Sequence, residues 1–419
     1  MTNTYIKSGA ITIESITLLS LDGKRKHNLV GMISGFDIFE DIMFPVIRAS
    51  FYVNDSLDVL NSFPIIGQER IFVSFSIPGD ETKNSYVFDI NSVENQINAP
   101  NSKSKVYVIH GISTEFKKSN KQLVNKKYST EATDIVQNVL TEIIQTKKKI
   151  NIGDKTKGIQ EVLVSRLRPF QAIDMIRKRS VSEKYLSSSY CFFENKYGFN
   201  FCSIEFLFDQ LKNKAGDRIF FYDTATNTDA KNMSTRSILS LINLSQTNDT
   251  KKISQGSLHN VVKRFDIFTG EVTETVFKNS EKQSQFKFPT DKPKPLNSPD
   301  YDQKYGDTPA VTMLVPFSSH LPETFTNEAI GARQSFATKV SQNLYRINVY
   351  GDPTLTAGVV ITIKIPTPTG DTDQQKENRL ISGNYLVSKL RHSIICGSDK
   401  ERAYWTSMEL IKGAYEDYA

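Results

Sequence analysis

A chain of 419 residues, 38% hydrophobic and 23% charged, can bury two or three sizeable cores, and it holds no apolar run of roughly 18 residues that would span a membrane. Its formal charge of +6 is thin over that length and does not by itself argue for nucleic acid as a partner. The opening MTNTYIKSGAITIES lacks a charged head and apolar block, so we expect no secretory leader, cytosolic synthesis, and reduced Cys191, Cys202 and Cys396.

The first 112 residues read as β. ITIESITLL (11–19) alternates, and Asp22-Gly23 supplies a hairpin turn. FDIFEDIMFPVIRASFYVND (36–55) is two strand runs around a kink at Pro45. RIFVSFSIP (70–78) puts Ile71, Val73, Phe75 and Ile77 on one face, and YVFDINSV (86–93) and KVYVIHGI (105–112) continue the pattern. Short strands joined by Gly, Asn and Pro turns predict a small barrel or sandwich.

From Ser113 the texture changes. STEATDIVQNVLTEIIQ (129–145) carries a 3.6-period apolar stripe and predicts a helix, with Lys147, Lys148 and Lys149 in its last turn opposing the dipole. For those lysines, as for the KKSNKQLVNKK run (117–127), a solvated face or cap is favoured over a phosphate-binding patch. RPFQAIDMIRKRS (168–180) predicts a second helix that opens at Pro169. SYCFFENKYGFNFCSIEFLF (189–208) reads as an aromatic hairpin turning at Asn195–Gly198. A base-stacking ribbon would interleave basic residues, and Lys196 alone does so here, which favours a core or subunit contact.

RIFFYDTAT (218–226) and NVVKRFDIFTGEVTETVFK (260–278) are further strands, the latter a hairpin about Thr269-Gly270. Prolines at 289, 293, 295, 299 and 309 rule out a ladder or long helix across 279–309, which suggests an arm or linker. A helix at 327–343 leads into two strands about Gly351-Asp352-Pro353, within 343–366, and then strands at 383–395 and 402–415. The expected blocks are a first barrel (1–112), a helix-containing segment with the hairpin (113–216), returning strands (217–278), the arm (279–325), and a second barrel with its leading helix (326–419). The fold class is α+β, mainly β.

Chemistry is sparse. His27, His110, His259, His320 and His392 show no metal-ligand spacing, and no phosphate cradle or nucleophile elbow occurs. No cofactor is expected. Glu40 and Asp41 are strand neighbours and point to opposite faces, so they do not converge on a substrate. A hydrolase using dispersed carboxylates leaves no short motif and stays open, as does a glycan-binding β-sandwich adhesin.

The string FDIFEDIMFPVIRASFYVNDSLDVLNSFPIIGQERIFVSFSIPG (36–79) resembles the N-terminal barrel of the central baseplate hub proteins of T-even-type contractile phages. The resemblance rests on Glu40 and Asp41, on Asp55, on Leu57 to Leu60, and on Gly67 with Glu69. The 131–145 helix, RPFQAIDMI, FFENKYGFNF and NVYGDPTLTAGVVITIKIP…GNYLVSKLRHSI follow in the family's order, which is shared with the hub halves of type VI secretion spike proteins.

The resemblance implies two similar antiparallel β-barrels, tube-like domains, in one chain, with inserted helices and a proline-rich arm. Three chains would form a six-barrel ring between the sixfold tail tube and a threefold spike, in the virion baseplate, after assembly in the host cytoplasm. Implied partners are the chain itself as a homotrimer, the spike and tube proteins, and the tape measure and baseplate wedge proteins, with DNA passing the lumen and no catalysis. Since this chain ends with its second barrel, the spike is expected to be a separate protein. Phe39, Glu40, Asp41, Tyr301 and Tyr305 are the candidate subunit-interface residues.

Overall fold

The computed structural model of the chain describes residues 9–63, 65–78, 83–98, 104–210, 218–222, 236–245, 248–289, 293–294, 299–317, 326–367, 377–378, 380–397 and 402–416. It is mainly β, in mostly antiparallel ladders with inserted helices.

Seven strands come from the first segment: β1 (Thr12–Leu19), β2 (Lys26–Asn28), β3 (Ile33–Asp41), β4 (Arg48–Asp55), β5 (Arg70–Ser76), β6 (Asn84–Asn98) and β7 (Lys105–Ile112), with the short α1 (Val59–Ser62) before β5. They lie in the order β3-β4-β7-β6-β5-β1-β2. Phe36 on β3 and Phe75 on β5 are four strands apart, about 19 Å in a flat sheet. Their ring centroids are 6.1 Å apart, so the sheet curls round one apolar core. Two acidic residues shape its loops. Glu69 accepts N–H bonds from Ile66, Gly67 and Gln68 at 3.0, 3.0 and 3.1 Å, with Gly67 at φ +86°. Asp55 accepts the amides of Leu57 and Leu60 at the start of α1.

The middle of the chain forms α2 (Thr114–Asn120), β8 (Val124–Thr130), α3 (Ala132–Asn138), β9 (Ile150–Ile152), β10 (Gln160–Leu167), α4 (Pro169–Arg179), β11 (Tyr190–Asn195), β12 (Gly198–Ser203) and α5 (Ile204–Asp209). The stripe of α3 is buried, but its backbone widens into a π-turn at Val139–Ile143 and ends there. Lys147, Lys148 and Lys149 therefore lie beyond the helix and not in its last turn. Helix α4 opens at Pro169 as expected and buries Phe170, Ile173 and Ile176. The aromatic ribbon, expected to run to 208, stops at Ser203: the Ser203 hydroxyl accepts the Phe206 amide and caps α5.

The remaining elements are β13 (Ile219–Phe221), β14 (Ile238–Ser245), α6 (Asp249–Ser254), β15 (His259–Asp266), β16 (Val272–Lys278), α7 (Asn279–Lys282), β17 (Pro293–Lys294), α8 (Pro299–Tyr305), β18 (Val311–Phe317), α9 (Thr326–Val340), β19 (Leu344–Tyr350), β20 (Val360–Lys364), β21 (Gly383–Ile395), β22 (Ala403–Ile411) and β23 (Tyr415–Glu416). The hairpin β15–β16 turns where expected and forms a separate sheet with β18. Against expectation, the proline-rich run does supply a ladder, the two-residue β17–β23 pairing; its helices, α7 and α8, are short. Strands β19 and β20 flank the Gly351-Asp352-Pro353 turn but do not pair: β19 lies between β14 and β22, and β20 between β13 and β21. Gly351 passes so close over Tyr404 that a Cβ there would sit 2.0 Å from the ring, and the chain crosses over β22 at that point.

The second barrel repeats the first rung by rung. Its order, β14-β19-β22-β21-β20, matches β3-β4-β7-β6-β5. Phe51 faces Phe36 and Ile109 across its ladders, and Ile347 faces Leu241 and Met408. Bulges recur at equivalent points: between Ile33 and Gly35 and between Ile238 and Ser240 in the opening strands, then between Ile90 and Ser92 and between Val387 and Lys389 in the long ones. The opening strand of this barrel thus comes from the segment expected to hold only returning strands. A bridge from Phe221 to Ser237 joins β13 to the start of β14 and closes the barrel round Tyr345, Ile347, Ile361, Ile363 and Tyr385.

Candidate functional site

The two barrels meet along one strand. The first residues of β21, Gly383–Leu386, pair with β20, while Lys389–Ile395 pair antiparallel with β3, from Lys389 opposite Asp41 to Ile395 opposite Gly35. Strand β21 thus belongs to both barrels, and its Ile394 joins the core of the first. Ladder order β14-β19-β22-β21-β3-β4-β7-β6 is continuous across the seam.

The tip of the β11–β12 ribbon plugs the fork. Glu40 is buried at the seam, and its two oxygens accept the amides of Lys196 (3.1 Å) and Ala357 (2.8 Å). The Lys196 ammonium donates to Asn84 of the first barrel and to the Pro353 carbonyl of the second at 3.1 Å. Asn195 donates to the Ala357 carbonyl at 3.2 Å, and Glu194 accepts the Ile47 amide at 3.2 Å. One hairpin turn therefore holds both barrels by their backbones. Desolvation dominates at Glu40 and pushes its carboxyl up to about 8, so it is largely protonated at neutral pH.

Lys148 has a role that its helix-end position in the sequence did not suggest. Its ammonium lies 2.7 Å from Glu115 and 2.5 Å from Glu194, and donates to the Ser113 hydroxyl at 2.6 Å. Two carboxylates share one cation. Although burial opposes the charge on both, Lys148 holds Glu115 below its ordinary value, whereas the more deeply buried Glu194, facing Glu115, is pushed above it.

Across the seam Arg391 pairs with buried Asp37 at 2.7 Å, and the Tyr52 hydroxyl donates to the same carboxylate at 2.7 Å. His392 points inward from the barrel wall and is buried. Its Nδ1 is 2.7 Å from the Tyr404 hydroxyl, and burial depresses the imidazole to about 3.

Of the candidate interface residues, Glu40 is buried within the chain, and its carboxyl oxygens are occupied there. Phe39 and Asp41, on the opposite face, line a shallow concavity with Arg48, Ile242, Arg346, Lys389, Arg391 and Glu409. The charges there are largely paired: Arg346 and Lys389 reach Glu409 at 2.6 and 2.9 Å. Tyr301 and Tyr305 lie far along the chain on α8, ring centroids 4.8 Å apart, with Tyr305 exposed. Asp37, Glu194, Lys196 and Arg391 were missed from the sequence, because nothing local marks a strand that serves two barrels.

No family model and no curated protein sequence matches the chain. Among solved structures, the tail protein from Neisseria meningitidis MC58 aligns with a TM-score of 0.57 at 10% identity, covering 96% of each chain. The 43 kDa tail protein of prophage MuSo2 from Shewanella oneidensis aligns at 0.53 and 8% identity, covering 96% of this chain and 99% of that one. The chain has the fold of a phage tail protein. A third tail protein, prophage gp18 from Listeria monocytogenes, aligns at 0.48 and 9% identity over 94% of both chains. Alignment over whole chain lengths means that the tail-protein fold takes in both barrels and the segment between them, the seam included.

Proposed function

We propose that this chain is the central hub subunit of a contractile phage tail baseplate, a structural part and not an enzyme. Three copies form a ring of six barrels that joins the sixfold tail tube to a threefold spike and lets DNA pass on ejection. The observation that carries this reading is the rung-by-rung likeness of the two barrels, matching bulges included. A protomer with two near-equivalent modules presents six similar surfaces per trimer, so one ring satisfies a sixfold partner and a threefold partner at once. The fold shared with tail proteins supports a place in the virion, with assembly in the host cytoplasm.

Carboxyls with raised proton affinity often mark catalytic acids. Here the two most perturbed, Glu40 and Glu205, are engaged by backbone amides and a serine hydroxyl that order loops, which favours a structural role. Phe39 and Asp41 on the open face, and Tyr301 with Tyr305 on α8, are the proposed contacts to neighbouring subunits, the tube or the spike, with tape measure and wedge proteins at the remaining faces. The ring should bury above about 2,000 Å² per subunit pair. Electron microscopy of the purified protein with its spike partner should show a threefold torus with an axial hole; a monomer by light scattering in that mixture would overturn the reading.

A further inference from the structure

The in-chain seam is a template for a second joint. At that seam the distal half of a long strand, past its bulge, pairs with the opening strand of the other barrel: β21 with β3. The repeat supplies the same two elements again. Past the bulge at Ile90/Ser92, β6 pairs only with β7 among the described residues, because β5 stops opposite Asp89. Among the described residues, strand β14, equivalent to β3, pairs along Ile238–Ser245 with β19 alone. These two edges lie at opposite ends of the continuous eight-strand run and do not pair with each other within the chain.

We propose that residues 94–98 of one copy pair antiparallel with residues 241–245 of a second copy, so that the sheet continues from chain to chain as it does from barrel to barrel, with irregularities at Glu94/Ile97 and Asn243/Ser245 that the in-chain seam lacks. The register follows from the ladders. Ile97 faces Val106, which is equivalent to Trp405, the partner of Ser393; Ile97 therefore occupies the place of Ser393. Ile242 faces Arg346, which is equivalent to Ser50, the partner of Asp37; Ile242 therefore occupies the place of Asp37. Ser393 and Asp37 are direct partners at the in-chain seam, so Ile97 comes opposite Ile242.

The side chains fit that pairing. Ile97 is 62% exposed and Ile242 47%, with Leu244 beside it at 42%. The face carries Arg346, Lys389, Arg391, Ser393 and Glu409 with Phe39, Tyr52 and Trp405 among them, and exposed isoleucines stand at the two ends that would meet. A β-branched pair directly opposed across strands is a favourable contact, and an open strand edge seeks a partner. The occupant is a second copy of this chain, and the proposal rests on the ring reading.

The test uses the full chain carrying both Ile97→Cys and Ile242→Cys, oxidised and run without reductant. Directly opposed strand residues have Cβ atoms within reach of a disulfide. Covalent species of three chains are expected, a mixture of the two single variants should stop at two, and each single variant should stay at background. Equal linking between Ile97→Cys and Leu314→Cys, an exposed position on β18, would mean random collision and overturn the pairing. A protein that is trimeric by native mass spectrometry yet does not link overturns the register and leaves the ring standing. A protein that stays monomeric overturns both.

Discussion

Glu40 and Ala357 are 317 positions apart in the chain, yet the Glu40 carboxyl accepts the Ala357 amide at 2.8 Å inside the seam between two barrels. The contact joins the end of β3 to the crossover before β20, and the same carboxyl holds the tip of the β11–β12 ribbon through Lys196. Three segments of the fold converge on one side chain.

Stability should depend on pH through that group. Burial raises the Glu40 pKa from 4.5 to about 8, so the folded state holds the proton more tightly than the unfolded chain. Its contribution is full below pH 4.5 and is lost as pH rises towards 8, a change on the order of a few kcal/mol. Glu40→Gln, which copies the neutral carboxyl, should flatten that alkaline limb in guanidinium titrations between pH 5 and 8. An unchanged slope would remove Glu40 from the account.

His392 works in the opposite sense. Its folded pKa is depressed from 6.5 to about 3, so its contribution is full above pH 6.5 and is lost as pH falls towards 3. The acid limb should therefore persist in Glu40→Gln and shrink in a His392→Gln variant.

Lys148→Met leaves Glu115 and Glu194 facing each other without their shared cation. We expect a loss of about 2–3 kcal/mol at pH 7, tempered by the 35% exposure of the lysine side chain. Acidification to pH 5 should recover part of it as Glu194 takes up a proton. Denaturant midpoints at the two pH values check this.

Gly198→Ala tests the ribbon that plugs the seam. Gly198 sits at φ +120°, and a Cβ there would lie 2.1 Å from the Lys149 carbonyl oxygen, contact that the backbone has to relieve. A cost of roughly 2–4 kcal/mol is expected in thermal unfolding. Gly23→Ala, also at positive φ but in open space, should cost less.

DNA contact should be weak. The open face of the shared sheet pairs Arg346 and Lys389 with Glu409, and Arg391 with Asp37, which leaves little unbalanced charge for phosphates. Filter binding should show slight retention of duplex DNA at low salt that disappears by physiological ionic strength. Tight, sequence-dependent retention would contradict the proposed passage of DNA.

Much of the fold was legible because local patterns carried it. The alternation at 70–78 became β5, and Pro169 opened α4 where its fixed φ favours a first helical turn. Gly67 and Glu69 turned out to be a loop and its carboxylate cap. What stayed hidden was long-range. SIEFLF has the apolar content of a strand, and only the cap at Ser203, supported by Asp154 accepting its amide, turns it into a helix. Lys148 looked like a helix-end charge because its two carboxylates are 33 and 46 positions away. Cys191 and Cys202 seemed unrelated by spacing, but the ribbon sets them directly opposite one another as free thiols. Asp37 and Arg391, 354 positions apart, could be paired only once β21 was known to fork.

That fork bears on how force travels through the molecule. On the hub reading proposed above, a load passing from one barrel to the other crosses the β21–β3 ladder, and the chain that leads from the end of β7 to the start of β14 ties the same two barrels together covalently. No comparable covalent path runs between separate chains. Under tension a ring of such molecules would therefore part first between copies, each fragment leaving with its two barrels still attached.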